Sequence, residues 1–379
     1  MTSKFDEIRP YNNEDLPHVL NALLSEEAFI ESLVALKFPK SPAFTKPLLK
    51  YLCLRVVTKK IANINKLKDF QLLIEPYMER MIKDTISSLS VSGLDTLDLT
   101  EPCLFISNHR DIALDPALVN WVLHMNKQDT VRIAVGDNLL TKDWVADIIR
   151  LNKCFVVKRD VKGRREKLEA AKLLSEYIHY SLITEQQHLW IAQREGRAKD
   201  GIDVTNSALL SMLSLHKPKA ESFGDYVGQL RIVPVSISYE FDPCDLRKAK
   251  EVYQAEQEGA YKKHSNEDLL SIVDGIKGRK GKVHLHFGKL AGNNFSDTKD
   301  LAQYIDAQIL AGYKTFSTAK AALSLLNNEK AVSVTDPNFQ SALKYLQNKL
   351  NNLNDGEGQK LLTMYANPLL RQQKIANSE

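Results

Sequence analysis

The chain has 379 residues, of which 44% are hydrophobic and 26% charged. This length suits one large α/β domain or two domains, and the composition excludes collagen-like, disordered and coiled-coil chains. No run in the sequence approaches the roughly 18 to 20 apolar residues that cross a bilayer, and its first residues are polar and acidic where a signal peptide is apolar. We therefore expect a cytoplasmic protein.

Positive charge is concentrated in residues 37–68. The chain carries 51 basic and 47 acidic residues, a net charge of +4, and this segment holds nine lysines and arginines and no acid. With Leu48, Leu52 and Val56 between its charges, it suits an anionic membrane surface, and we expect peripheral binding to the inner face of the membrane. The same pattern fits equally well a helix that packs against the protein core and leaves its lysines in solvent. Nucleic acid is not expected as a partner, because aromatic residues are sparse there.

The spacing of the cysteines and of the two neighbouring histidines does not indicate a metal site. No C-x-x-C pair occurs, so the cysteines predict buried free thiols in a reducing compartment. Two histidines share one face of a predicted strand without further ligands at metal spacing, so we expect structural roles and no metal. The residues concerned are Cys53, Cys103, Cys154, Cys244, His284 and His286.

In chain order, the elements begin with a helical N-terminal region, residues 1–100. Apolar residues recur at helical spacing over 14–36, a basic helix follows over about 46–66, and another runs over about 67–89. Residues 297–379 are again helical and predict a C-terminal extension interrupted by a loop at NKLNNLNDGEGQ.

Between these regions, residues 101–296 alternate short β-like runs with helical ones. This alternation predicts an α/β domain with a mostly parallel sheet flanked by helices. The β-like runs are PCLFIS, VRIAVG, KCFVVK, HLWIAQ, RIVPVSISY and VHLHFGKL.

The segment FISNHRDIALDPAL, residues 105–118, places His109 in a turn after the first of these strands. Groups at the carboxyl end of such a strand face the ligand crevice of an α/β sheet. Asp115 fits the N-cap of the following helix and Pro116 its first position. A carboxylate that holds one imidazole nitrogen protonated leaves the other to act as a general base. The same spacing is also explained if Asp115 only caps the helix and His109 is a hydrogen-bonded residue of the turn.

Three further segments place charge at predicted strand ends. FVVKR ends in Arg159, QREGR contains Arg194 and Arg197, and IVPVS carries Pro234 within a strand. Guanidinium groups at neighbouring strand ends suit a phosphate, although solvated loop charges are the alternative for each segment alone. Glu195 could fix one arginine, and Gly196 lets backbone approach a ligand.

In this order the four segments resemble the motifs of the glycerolipid acyltransferases, which acylate glycerol-3-phosphate or 1-acylglycerol-3-phosphate. Asn108, His109 and the triplet Asp115-Pro116-Ala117 match the family's N-H-x4-D motif, but with five intervening residues. Asp111 therefore competes with Asp115 as the partner of His109. QREGR is one residue shorter than the family's E-G-x-R, and the resemblance spans about residues 104–239.

The resemblance implies an O-acyltransferase of phospholipid synthesis that moves an acyl group from acyl-CoA or acyl carrier protein to a glycerol phosphate. Implied roles are the catalytic pair His109 and Asp115, with Asn108 or nearby backbone amides as the groups that stabilise the tetrahedral oxyanion. Residues implied to bind the phosphorylated acceptor are Arg159, Arg194, Glu195, Gly196 and Arg197, and Pro234 is implied to shape the acyl side. No cofactor is expected beyond the thioester co-substrate. A non-catalytic lipid-surface binding protein on the same scaffold is the alternative.

Overall fold

The computed structural model describes residues 4–264, 266–328 and 336–377, which contain fifteen α-helices and seven strands. The helices are α1 Leu16–Ser25, α2 Glu27–Lys37, α3 Lys46–Ile61, α4 Leu67–Thr85, α5 Leu114–Met125, α6 Asp143–Leu151, α7 Arg164–Ile183, α8 Ser207–Leu213, α9 Phe223–Leu230, α10 Asp245–Glu258, α11 Glu267–Lys277, α12 Thr298–Gly312, α13 Ser317–Leu326, α14 Pro337–Leu350 and α15 Asp355–Ala376. The strands are β1 Ile86–Ser92, β2 Leu104–Ser107, β3 Arg132–Gly136, β4 Cys154–Val157, β5 Leu189–Ala192, β6 Ile232–Tyr239 and β7 Gly281–Phe287.

Two compact units divide the chain. The first combines the described residues up to Arg80 with Arg132–Tyr177. In it β3 and β4 pair in parallel, and Val156 N–H donates to the Ile8 carbonyl at 2.8 Å, which ties the N-terminal segment to β4. A core of apolar side chains from α1, α2, α4 and α6 includes Leu16, Leu20, Leu23, Phe29, Phe70 and Leu151.

The second unit, Met81–Val131 with the described residues after Tyr177, contains five strands in the order β1-β7-β6-β2-β5. Every pairing among them is parallel except β6 with β7. The predicted mostly parallel sheet flanked by helices is therefore confirmed. β2 is fully buried between β5 and β6, as expected for a central strand.

Pro234 lies inside β6 although it cannot donate to a ladder. Its carbonyl accepts from Gly288 N–H at 2.8 Å, just after β7 ends at Phe287. The N–H that proline lacks therefore falls beyond the last residue of the neighbouring strand, where its loss is tolerated.

The C-terminal helices form a second apolar core in this unit. Side chains of α13, α14 and α15 pack with Ala249 of α10, including Ala321, Phe339, Leu346, Leu361 and Tyr365. The three segments predicted from sequence follow patterns along the chain, whereas the compact units group residues by contact. Their boundaries at 100 and 296 stay a prediction.

Two predicted helices and one predicted loop differ from the structure. The helix expected over 14–36 is two helices, because Glu26 adopts an extended conformation between them. The helix expected to end near residue 89 ends at Thr85, and the chain continues as β1, which pairs with β7. The predicted loop covers only the turn before α15, because Asn354 caps that helix and draws Asp355 and Gly356 into it.

Two remaining expectations concern the histidines and membrane spans. His284 Nδ1 lies 2.8 Å from Ser90 Oγ, and His286 Nδ1 lies 2.8 Å from Ser92 Oγ, which gives both rings structural partners on β1. Among the described residues, none of the helices is both long and apolar enough to cross a membrane. The four cysteines are free thiols, and all but Cys53 are buried.

Candidate active site

The turn after β2 is anchored to the neighbouring strand by Asn108. Its side-chain nitrogen donates to the Ile237 carbonyl at 3.0 Å, and its oxygen accepts from Ile237 N–H at 2.8 Å. Asn108 is completely buried, so this two-way bond to β6 is shielded from water. The structure therefore places Asn108 as an anchor of the turn that carries His109.

His109 lies against the carboxylate of Asp115. His109 Nδ1 is 2.9 Å from Asp115 Oδ2, and the same oxygen accepts backbone N–H groups of Arg110 at 2.6 Å and Asp111 at 2.9 Å. The other oxygen, Oδ1, accepts the Tyr239 hydroxyl at 2.8 Å. Asp115 is fully buried, whereas the His109 side chain keeps 14% of its surface exposed. The arrangement fixes the ring and leaves a path to it from solvent.

The N-cap of α5 is Ala113, and the side chain that accepts N–H groups at the start of this helix is that of Asp111. Asp111 Oδ1 accepts N–H groups of Ala113 at 3.0 Å and Leu114 at 2.9 Å, so α5 starts at Leu114. The predicted N-cap at Asp115 is wrong, because that residue already lies in the first turn of the helix. The Asp115 carboxylate is therefore not used as the N-cap and lies against His109 instead.

Burial, followed by the nearby charge of Asp115, raises the pKa of Asp111 to about 6. Its Oδ2 atom is buried and has no hydrogen-bond partner within the described part of the chain. The two carboxylates of this turn are thus held in different environments. Both oxygens of Asp115 accept hydrogen bonds, whereas only one oxygen of Asp111 does so within the described residues.

The loop after β5 packs directly on this turn. Gln193 N–H donates to the Ser107 carbonyl at 2.8 Å, and Ala198 N–H donates to the His109 carbonyl at 2.9 Å. Gly196, between them, has a φ of +74°, a conformation that disfavours other residues, and the space around its α-carbon is open. The QREGR segment is therefore held beside His109 by backbone bonds at both ends.

Arg197 is the arginine of this loop that has an unsatisfied hydrogen-bond donor. Its Nη2 donates to Ser271 Oγ at 3.3 Å, and its buried Nη1 has no partner among the residues described. Arg194 is half-buried, and Glu195 and Gly196 are exposed. Burial and then the positive charge of Arg197 lower the pKa of neighbouring Lys199 to about 8. A positive potential with an unsatisfied donor suits an anionic ligand.

Arg159 belongs to the other compact unit. Its backbone N–H lies 3.1 Å from the carboxylate of Asp137, and its guanidinium lies 3.4 Å from Asn138 Oδ1. Pro234 lies in β6 opposite Ile106, one residue before the end of β2.

Sequence reasoning missed a group of residues behind the turn. Arg110 forms a buried ion pair with Asp203 at 2.5 Å, and its carbonyl accepts Lys248 Nζ at 2.6 Å. Lys248 also pairs with Asp242, and Tyr239 reaches Asp115 from the end of β6. These partners lie about 90 to 140 residues from the turn, so no local motif marks them. The strand ending in YEFD was the one available signal.

With this geometry in place, comparison with known families gives a direct match. Residues 88–238 match the Acyltransferase family model, a range that contains most of β1, all of β2 to β5, His109, Asp115 and nearly all of β6. The chain carries an acyltransferase domain.

Two solved structures show a weak overall similarity to this chain. The 1-acyl-sn-glycerophosphate acyltransferase PlsC from Thermotoga maritima is 16% identical, with a TM-score of 0.36 over 78% of this chain and 92% of that chain. The signal recognition particle receptor FtsY from Elizabethkingia anophelis in complex with GDP is 9% identical, with a TM-score of 0.23 over 78% and 92%. No curated protein matches this chain.

Proposed function

We propose that the acyltransferase moves a fatty acyl group from an acyl thioester, carried by CoA or acyl carrier protein, to a hydroxyl of a glycerol phosphate. The preferred acceptor in this proposal is 1-acylglycerol-3-phosphate, which places the enzyme in phospholipid synthesis. The observation that carries the proposal is the buried contact between His109 and Asp115 inside the matched acyltransferase range.

The dyad supplies a general base. Asp115 holds the proton on His109 Nδ1, which leaves Nε2 to take the proton of the acceptor hydroxyl. The resulting oxygen nucleophile attacks the thioester carbonyl to form a tetrahedral intermediate. Its collapse breaks the carbon–sulfur bond, and the imidazolium returns its proton to the departing thiolate. The products are an ester and a free thiol, and the proposal includes no metal or redox cofactor.

The acceptor phosphate is assigned to the arginines. Arg197 offers a buried unsatisfied nitrogen beside the catalytic turn, and Arg194 in the same loop is the second candidate. We retain Arg159 as a third on the motif resemblance alone. Glu195 and Gly196 complete the loop, and Pro234 is retained on the acyl side. Both polar atoms of the Asn108 side chain are bonded to the backbone of Ile237. We therefore propose that Asn108 positions the turn and that backbone amides donate to the oxyanion.

The basic segment, residues 37–68, is proposed to bind the membrane from the inner, cytoplasmic face. Cys53, Leu54 and Val57 of α3 pack on the core of the first unit. On its other face Leu48, Leu52 and Val56 are exposed, and Phe44 just before it is 84% exposed. Exposed apolar side chains among lysines match an anionic bilayer better than a core-facing helix. Binding to anionic vesicles is expected to weaken as salt is raised from about 0.05 to 0.5 M.

Product analysis tests the reaction. Purified enzyme is offered lysophosphatidate, glycerol-3-phosphate and a second lysophospholipid with mixed acyl-CoA and acyl carrier protein thioesters, and the products are identified by mass spectrometry. We expect an acylated glycerol phosphate from the wild type and none above background from His109→Ala with an unchanged melting temperature. Wild-type binding to lipid without turnover of any acceptor would support the non-catalytic alternative, and full turnover by His109→Ala would remove the proposed base.

A further inference from the structure

Helix α11 lies in the second compact unit, the catalytic unit of this proposal because it contains His109 and Asp115, and its apolar and polar faces are reversed. Its inward positions Glu267, Ser271 and Gly275, spaced four apart, are buried. Its outward positions are large and apolar, namely Leu269 at 62%, Leu270 at 46%, Val273 at 37% and Ile276 at 44% exposed. A surface helix normally shows the opposite pattern, and a contiguous exposed apolar stripe marks an interaction surface.

The buried face of α11 holds the helix against the catalytic turn. Ser271 Oγ accepts from Arg197 at 3.3 Å. A β-carbon added to Gly275 would lie 2.3 Å from Asp111 Oδ2, so the absence of a side chain permits the close approach. Whatever covers the outer face of α11 therefore sits one helix away from the loop and the turn that form the candidate site.

The charge around the stripe is positive. Lys277, the last residue of α11, and Arg279 just after it are exposed, and so is Lys262, five residues before the helix. The acids of the helix are engaged within the protein: Asp268 pairs with Lys263, Asp274 with Arg247 at 2.5 Å, and Glu267 accepts the Tyr261 hydroxyl at 2.6 Å. Large apolar side chains with cations near both ends complement a surface that is apolar beneath and anionic above.

We propose that the outer face of α11 docks on an anionic lipid bilayer and brings the catalytic turn to the bilayer surface. This surface lies in the catalytic unit and is separate in the chain from the basic segment, residues 37–68. The proposal deepens the proposed function, since docking there would let a lipid acceptor reach the dyad without leaving the bilayer. Lipid binding itself is measured without substrate, so the two proposals can fail separately.

The test is co-sedimentation of the full chain with vesicles of equal parts phosphatidylglycerol and phosphatidylcholine. The variant combines Leu269→Ser with Val273→Ser, and the matched control is Leu370→Ser, an exposed apolar position on α15 in the same unit. We expect the double variant to bind these vesicles at least tenfold more weakly than the wild type and the control to bind within about twofold. Melting temperatures establish that all three proteins are folded.

Two further measurements decide the interpretation. Turnover of water-soluble glycerol-3-phosphate should change less than twofold in the double variant, while turnover of lysophosphatidate in vesicles should fall about tenfold. Unchanged vesicle binding by the double variant overturns the proposal. So does a wild-type dimer in analytical ultracentrifugation that the double variant converts to monomer, because the face would then bind a second copy of the chain. Lack of turnover with either acceptor contradicts the proposed function but leaves the vesicle result decisive.

Discussion

Four donors converge on the carboxylate of Asp115: the His109 ring, the backbone N–H groups of Arg110 and Asp111, and the Tyr239 hydroxyl. Asn at this position would turn an amide NH₂ toward at least one of these donors and disturb the orientation of the ring. We expect Asp115→Asn to lower kcat by roughly two to four orders of magnitude. Asp111→Asn keeps the oxygen that accepts the Ala113 and Leu114 N–H groups and should stay within about threefold of wild type. Steady-state kinetics of the two variants makes the comparison, and the reverse order would make Asp111 the partner of His109.

The buried carboxyl of Asp111 also predicts a pH dependence of stability. Its pKa is raised to about 6 by burial and then by Asp115, so the folded state binds this proton more tightly than the unfolded chain does. Its contribution to stability is therefore present below about pH 4 and is lost as the pH rises through 6. Asp111→Asn cannot ionise, and its free energy of unfolding should rise relative to wild type by on the order of 2 to 3 kcal/mol between pH 4 and 8.

Denaturant unfolding of both proteins across this range measures the difference. Asp98→Asn is the control of opposite sign, because hydrogen bonds from Thr100 lower the pKa of Asp98. Its contribution is present at neutral pH and is lost as the pH falls. If the difference in stability between Asp111→Asn and wild type does not vary with pH, then burial does not raise the pKa of Asp111.

At the scale of single residues, the sequence predicts which groups carry the chemistry but not how they are connected. His109 and two candidate acids follow from one motif, yet the choice between Asp111 and Asp115 depends on where α5 begins. That start is set by the cap hydrogen bonds to Ala113 and Leu114, which spacing alone does not determine. Tyr239 is 124 residues from Asp115 along the chain, so only the pairing of β2 with β6 brings them together.

Among the elements, α11 is positioned by the lack of a side chain at Gly275. Alanine there is helix-favouring by about 1 kcal/mol, but its β-carbon would lie 2.3 Å from Asp111 Oδ2. We expect Gly275→Ala to destabilise the protein by about 1 to 3 kcal/mol, because overpacking exceeds the gain in helix propensity. Denaturant midpoints provide the measurement.

A double-mutant cycle identifies the clash as the cause. Asp111→Ser keeps a capping oxygen on a shorter side chain, so Gly275→Ala should cost less than about 1 kcal/mol in that background. If the cost of Gly275→Ala is the same in both backgrounds, the helix is not held by this contact.

The strands show how far pattern reading extends at the level of elements. Six strands, β2 to β7, are confirmed because each is an apolar run bounded by polar turns. β1 was missed because α4 runs into it at Thr85 with no intervening glycine or proline to mark a boundary. Its partner β7 lies almost 200 residues later, and this long-range pairing, rather than local propensity, makes the segment a strand.

On the scale of the whole molecule, the acyltransferase domain match ends at residue 238, yet a buried acid beyond it bonds to the C-terminal helices. Asp245, the first residue of α10, is fully buried and accepts the hydroxyl of Tyr345 at 2.7 Å, that of Tyr365 at 3.0 Å and Lys349 Nζ at 2.8 Å. These donors lie on α14 and α15. The C-terminal helices are therefore part of the second folded unit, since their removal would take away three donors of a buried carboxylate.

Two lysines of equal exposure test this dependence. Lys349 and Lys360 both keep 26% of their side-chain surface exposed, but Lys349 pairs with buried Asp245 and Lys360 with Glu256, which is 56% exposed. Replacement by Met retains the apolar stem and removes the charge. We expect Lys349→Met to lower the free energy of unfolding by about 1 to 3 kcal/mol, because Asp245 loses a charged donor where water cannot replace it. Lys360→Met should cost less than about 1 kcal/mol, as is usual for solvated pairs. Denaturant unfolding at neutral pH compares the two, and equal small losses would mean that the tyrosine hydroxyls and the Leu246 N–H satisfy Asp245 without Lys349.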